Sequence, residues 1–171
     1  MNVPNFLTLI RFLLIPVFCI IYFSNMNYSF FLSMIIFFIA GITDLLDGYI
    51  ARKYDLVTKI GTVLDPLADK FMTLTVLFCL AYKDIIPHWI VFPFLIKELI
   101  MVIGGINLYK YERVLPANHY GKTATILFYI SIFMLIFNKT LGTYLLYLTL
   151  VSAVLAFVNY LKHFLNIKSS L

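Results

Sequence analysis

"DLLDGYIARKYDLVTKIGTVLDPLAD", residues 44–69, holds five of the eight acidic residues of a 171-residue chain. Four of the five fall at helical spacing. Asp44 and Asp47 are three apart and Asp65 and Asp69 four apart, so each pair shares one face of a helix. Gly48 and Ala51 continue the first face at i+4 and i+7 from Asp44. Between the pairs, Arg52 to Ile60 reads as a short polar loop that ends one helix and starts the next.

The rest of the chain is the opposite of acidic. It is 63% hydrophobic, 12% charged and carries a formal net charge of +5, with a mean hydropathy of +0.97. A soluble domain carries about 25% charged residues. The apolar excess is more than one small core can bury, so a bilayer is the expected solvent. The reading is an all-α integral membrane protein, a single domain over 1–171, with six transmembrane helices in one bundle. The spans are Phe6–Phe23, Tyr28–Ala51, Gly61–Tyr82, Ile86–Leu108, His119–Phe137 and Thr143–Leu161. The fifth has the shortest uninterrupted apolar run. The first resembles a signal peptide in length but lacks a small-x-small cleavage site, so it is read as mature structure. Arg11 and Pro16 interrupt it. Its first turns are expected to form a short interfacial segment, with Arg11 snorkelling to lipid phosphates.

Lysines and arginines set the orientation. Arg11, Arg52, Lys53, Lys59, Lys110, Arg113, Lys122, Lys162 and Lys168 fall on one side, and Lys83 and Lys139 on the other. Nine against two places both termini and the 52–60 loop in the cytoplasm of a multi-pass cell-membrane protein. The basic side is suited to membrane lipid headgroups, and no nucleic-acid partner is expected. Cys19 and Cys79 sit alone in apolar spans and read as small buried hydrophobes. His88, beside Trp89, reads as interfacial. His119 and His163 lack a second histidine at ligand spacing, and of the three His119 is the strongest candidate for a further role.

Depth gives the aspartates their interest. At ~1.5 Å rise per residue, Asp47 lies roughly 7 Å inside Arg52, and Asp65 a similar distance inside Ile60. Asp44 and Asp69 lie roughly 12–14 Å in. In an antiparallel hairpin two carboxylate rungs then face each other beneath the cytoplasmic surface. Four like charges there raise one another's pKa, and loss of water adds to the penalty. A hard divalent cation such as Mg²⁺ or Mn²⁺ relieves it. Two ions balance four carboxylates, and a two-ion clamp suits displacement at phosphorus. Gly48 and Ala51 leave the acidic face without bulk, which admits either a large ligand or a close helix neighbour.

The stretch follows D-x2-D-G-x2-A-R-x8-G-x3-D-x3-D through Asp44, Asp47, Gly48, Ala51, Arg52, Gly61, Asp65 and Asp69. This resembles the signature of the CDP-alcohol phosphotransferases. "VPNFLTLIR" at the start, "DPLADK" around the last aspartates and "YGKTAT" near the fifth span resemble bacterial phosphatidylglycerophosphate synthases, over nearly the whole chain. The resemblance implies that Asp44, Asp47, Asp65 and Asp69 hold the metal and that Asp69 is also the general base. It implies a CDP-diacylglycerol site at Asn5, Thr8, Gly48, Ala51, Arg52, Thr58 and Gly61. It further implies a homodimer, and a reaction that moves the phosphatidyl group to glycerol 3-phosphate and releases CMP.

The acceptor rests on fewer residues. A doubly charged glycerol 3-phosphate needs cations, and Lys97, mid-span, and Lys122, opening the fifth span, are the candidates. Glu98 projects about 100° from Lys97 on a helix and is not an obvious partner on the same face, and snorkelling or an internal ion pair is the alternative reading of Lys97. The synthases resembled here typically carry Arg-Glu where this chain has Lys97–Glu98, an arginine near Gly105, and a second basic residue at Ala124. Phosphatidylglycerol, as used by cardiolipin synthases, therefore stands as the alternative acceptor. A divalent-cation carrier built on the same aspartates stands as the non-enzyme alternative.

Overall fold

The computed structural model describes residues 3–54, 58, 61–110 and 119–169, with their side chains except those of 3, 52, 62, 63, 102–110, 119, 120 and 163–169. Among the described residues the chain is all helical, with no strand. Six α-helices run α1 Val3–Tyr22, α2 Ser29–Lys53, α3 Gly61–Tyr82, α4 Val91–Lys110, α5 His119–Phe137 and α6 Lys139–Ser169, and a 3-10 turn, His88–Ile90, leads into α4. α3 and α5 begin and end where the sequence predicts. α6 starts four residues earlier than expected and runs eight further. The apolar run marks only the part suited to lipid, and a helix continues past it wherever the backbone is still paired.

Among the described residues three helices are long and apolar enough to cross a membrane: Pro4–Tyr22, Ser29–Ala51 and Lys139–Lys162. The apolar part of α5, Gly121–Phe137, is shorter. α3 is long enough, but Asp65, Asp69 and Lys70 interrupt its apolar character. Large apolar side chains face outward along these helices, among them Ile20, Leu45 and Phe137, each at least 70% exposed. Such a surface is stable against acyl chains rather than water. The protein is a membrane protein.

The helices group into two compact units, Met1–Lys83 and Asp84–Leu171. In the first, α1 packs on both α2 and α3, which touch each other less. Phe18, Met34, Phe37, Val76, Leu77 and Leu80 fill the space between them. Cys79 lies against Cys19 across α1 and α3, and both thiols are free. At one end the Phe18 and Tyr22 rings stack at 5.6 Å. There Lys83 donates to the Tyr22 carbonyl at 2.5 Å, with its ammonium 4.3 Å from the Tyr22 ring centroid. α1 is unbroken from Val3 through Pro16, so neither Arg11 nor Pro16 divides it into the separate segments expected.

In the second unit α5 and α6 form a tight antiparallel hairpin, and α4 packs on α6. One non-helical residue, Asn138, joins α5 to α6. Its N–H donates to the Met134 carbonyl at 2.8 Å, its carbonyl accepts from Gly142 N–H at 2.9 Å, and its Oδ1 accepts from Leu141 N–H at 3.0 Å. A single asparagine thus closes one helix and caps the next. Ser131 and Thr149 pair their hydroxyls across this hairpin at 3.0 Å. The exposed Trp89 stacks on Tyr147, and His88 pairs with Asp84 at 3.0 Å on the surface, in keeping with the interfacial reading. The side chains of His119 and His163 lie outside the description.

Candidate active site

The acidic faces of α2 and α3 meet. Asp44, Asp47, Asp65 and Asp69 line one open cavity of about 430 Å³ together with Leu45, Gly48 and Pro66. The four aspartates predicted to act together are therefore together. Asp47 is buried, at 2% exposure, and Asp44 is the more open, at 36%. Gly48 lines the cavity on the α2 side without a side chain.

α1 supplies the rest. Thr8 and Arg11 are three residues apart and share a face. The Thr8 hydroxyl donates to Asp65 Oδ1 and also lies 3.1 Å from the Pro4 carbonyl. The Arg11 guanidinium pairs with Asp44 Oδ1 at 2.7 Å and with Asp47 Oδ2. It also donates to the Asp65 carbonyl at 3.2 Å. Arg11 is 1% exposed and is the largest of the fully buried side chains. This corrects the snorkelling expectation: two carboxylates inside the bundle offer a guanidinium more than a headgroup does. The signal was present in the spacing. Asn5, Thr8 and Arg11 recur every third residue on an otherwise apolar helix, which makes a polar stripe with partners to find.

Asn5, Thr58 and Gly61 also come together. The Thr58 hydroxyl donates to Asn5 Oδ1 at 3.0 Å and accepts from Gly61 N–H at 2.9 Å. A Cβ on Gly61 would stand 2.9 Å from both the Asn5 and Thr58 oxygens and 3.6 Å from Asp65 Oδ2. Gly61 is thus the residue that lets α3 start against α1, beside the acidic cavity. Ala51 is half-buried on α2. The Arg52 side chain lies outside the description, as do residues 55–57, 59 and 60.

Among the described residues no three His, Cys, Asp or Glu side chains converge closely enough to hold a metal ion in their present orientations. Arg11 pairs with Asp44 and Asp47, and the Thr8 hydroxyl with Asp65.

The two acceptor candidates belong to the second unit. Lys97 is 16% exposed and pairs with Glu98 at 2.6 Å, an internal ion pair with the neighbour that helix geometry made the less obvious partner. A four-carbon stem bridges adjacent positions where low dielectric rewards a charge for finding its counter-charge. Lys122 is exposed on the first turn of α5.

The family model for CDP-alcohol phosphatidyltransferases matches residues 1–156. The chain belongs to the CDP-alcohol phosphatidyltransferase family. The match spans both helical units and includes the whole acidic signature. The chain is similar to curated proteins named CDP-diacylglycerol--glycerol-3-phosphate 3-phosphatidyltransferase from several bacteria. The protein from Rickettsia typhi is 32% identical over 159 residues, covering 92% of this chain and 88% of its own. That from Wigglesworthia glossinidia brevipalpis is 33% identical over 174 residues, covering 96% and 93%. That from Bacillus subtilis is 36% identical over 136 residues, covering 72% and 70%.

Proposed function

We propose that this family member transfers the phosphatidyl group of CDP-diacylglycerol to glycerol 3-phosphate, releasing CMP and forming phosphatidylglycerophosphate. The observation that carries this reading is the cavity in which all four signature aspartates of α2 and α3 meet. The relatives named above give the substrates.

The donor set suits a divalent ion by type. Four carboxylates offer only hard oxygen ligands, the preference of Mg²⁺ and Mn²⁺ over softer metals. They line one cavity with room beside them. Asp44, Asp47, Asp65 and Asp69 would hold the ions, two by charge balance. When bound, they would offset the charge of the pyrophosphate and of the departing CMP.

The chain's own groups account for the remaining chemistry. Asp69 accepts the proton of the acceptor hydroxyl as that oxygen bonds to the phosphorus carrying diacylglycerol. The bond from this phosphorus to the bridging oxygen breaks, and CMP leaves with the bonding pair. Gly48 and Ala51 keep the α2 side open to the nucleotide. Thr8 holds Asp65, and Asn5, Thr58 and Gly61 contact one another beside it, to receive the nucleotide, and Arg52 pairs with a donor phosphate at the membrane surface. Lys97 and Lys122 attract the acceptor phosphate. Glu98 already offsets the charge of Lys97, so Lys122 carries more of that task.

Six membrane spans form one domain with both termini and the active site on the cytoplasmic side, and two copies associate as a homodimer. The lysine and arginine asymmetry supports the orientation, and a family match across both units supports the single domain. The test is acceptor identity. Purified protein with CDP-diacylglycerol and Mg²⁺ should make phosphatidylglycerophosphate and CMP when given glycerol 3-phosphate. Cardiolipin formed from phosphatidylglycerol instead would move the protein to the alternative acceptor. Cation flux through proteoliposomes without CMP would make it a carrier.

A further inference from the structure

Two carboxylates that line the acidic cavity already have a cation beside them. Arg11 reaches them from α1, buried to 1% exposure, with one nitrogen on Asp44, another on Asp47 and a third contact to the Asp65 carbonyl. Its Nε is buried with no hydrogen-bond partner, so the fork is aimed at the carboxylates rather than satisfied all round. Thr8, one turn earlier on the same face, occupies Asp65 Oδ1. Asp44, Asp47 and Asp65 are among the carboxylates that would hold a divalent ion.

We propose that Arg11 is a built-in counter-cation of the aspartate site, a positioning residue that holds Asp44 and Asp47 in the metal-free protein and competes with divalent ions for them. The inference rests on the reading of this cavity as a divalent-ion site. Four carboxylates without a cation repel one another and destabilise the α1–α2–α3 packing. Arg11 offsets one of the four charges and ties three helices together until metal arrives. The same fixed charge lowers the site's affinity for ions, because a guanidinium and a divalent cation repel at close range in a poorly screened interior. Ion loading then loosens the grip of α1 on α2, and the Asn5–Thr8 segment changes its hold on Asp65 with it.

The experiment is a Mn²⁺ titration of purified full-length protein in detergent, with free Mn²⁺ read by electron paramagnetic resonance, alongside thermal melts with and without EDTA. Arg11→Gln should bind Mn²⁺ more tightly, on the order of ten-fold or more. It should also melt lower than the wild type in EDTA and gain more from Mn²⁺. Arg11→Lys, which keeps the charge but reaches one carboxylate, should fall between. Unchanged or weaker Mn²⁺ binding by Arg11→Gln overturns the proposal, since a merely structural arginine lowers the melting temperature without tightening the metal. If that variant does not fold, the wild type decides. Its Arg11 Nε–H resonance, one of three arginine signals, should shift and exchange faster with solvent on adding Mg²⁺. An Arg11 signal unmoved at saturating Mg²⁺ overturns the proposal alone. Wild-type protein that binds no Mn²⁺ overturns the metal reading and this proposal with it.

Discussion

At Gly61 a hydrogen atom takes the place of a methyl group, and α3 begins against Asn5 and Thr58. A Cβ there must displace oxygens at 2.9 Å. Asn5 can rotate away, so Gly61→Ala is expected to cost roughly 1 kcal/mol, the low end for overpacking, read as a lower denaturation midpoint. Its larger effect should be a raised KM for CDP-diacylglycerol, because Asn5 and Thr58 move. Asp69 gives the complementary prediction. Asp69→Asn removes the proton acceptor and leaves the shape, so CMP release should fall roughly 10²–10⁴-fold while donor binding persists. Donor binding lost together with turnover would make Asp69 a binding residue alone. The aspartates were legible because a three- or four-residue spacing is a local signal. Arg11 was misplaced because its partner Asp47 is 36 residues away, and a lone arginine in an apolar run is equally compatible with a headgroup. For Lys97 an internal ion pair was legible but its partner was not: helix geometry separates adjacent positions, and the length of a lysine undoes the separation.

Among the elements, the α5–α6 hairpin is the most sharply specified. Asn138 serves both helices, and Gly142 allows the first turn of α6 to lie against α5. A Cβ on Gly142 would come within 2.6 Å of the Leu135 backbone nitrogen. Backbone cannot rotate aside, so Gly142→Ala should cost more than Gly61→Ala, about 2–3 kcal/mol. Asn138→Ala should cost about 1 kcal/mol through the lost cap. Urea or thermal melts in a fixed detergent check both, and equal effects of the two glycine substitutions would contradict the close approach. Helix ends followed from the sequence where a glycine or a polar residue interrupts the apolar run, as at Gly61 and His119. The start of α6 did not, because Lys139 and Thr140 are polar residues that a capped helix accepts and a lipid-facing run does not.

For the whole molecule, composition alone carried the membrane assignment, since 12% charge leaves a helical chain little else to dissolve in. The division into two helical units was not legible, because no linker or change of composition marks Lys83–Asp84. If the cavity is a divalent-ion site, ligand linkage follows. Mn²⁺ at about 100 times its Kd should stabilise the folded protein by about 2.7 kcal/mol, and EDTA should reverse this. A melting temperature indifferent to both would argue against ions as part of the native site.

The most direct measurement is CMP release from CDP-diacylglycerol by single aspartate-to-asparagine variants, compared under one set of conditions with glycerol 3-phosphate and Mg²⁺. Asp84→Asn is the control: Asp84 is an exposed aspartate that does not line the cavity, in a left-handed conformation (φ 53°) that asparagine also adopts. The account predicts that Asp44→Asn, Asp47→Asn, Asp65→Asn and Asp69→Asn each lose CMP release by at least about a hundred-fold, with Asp84→Asn close to wild type. Wild-type rates in two or more of the four cavity variants would contradict it.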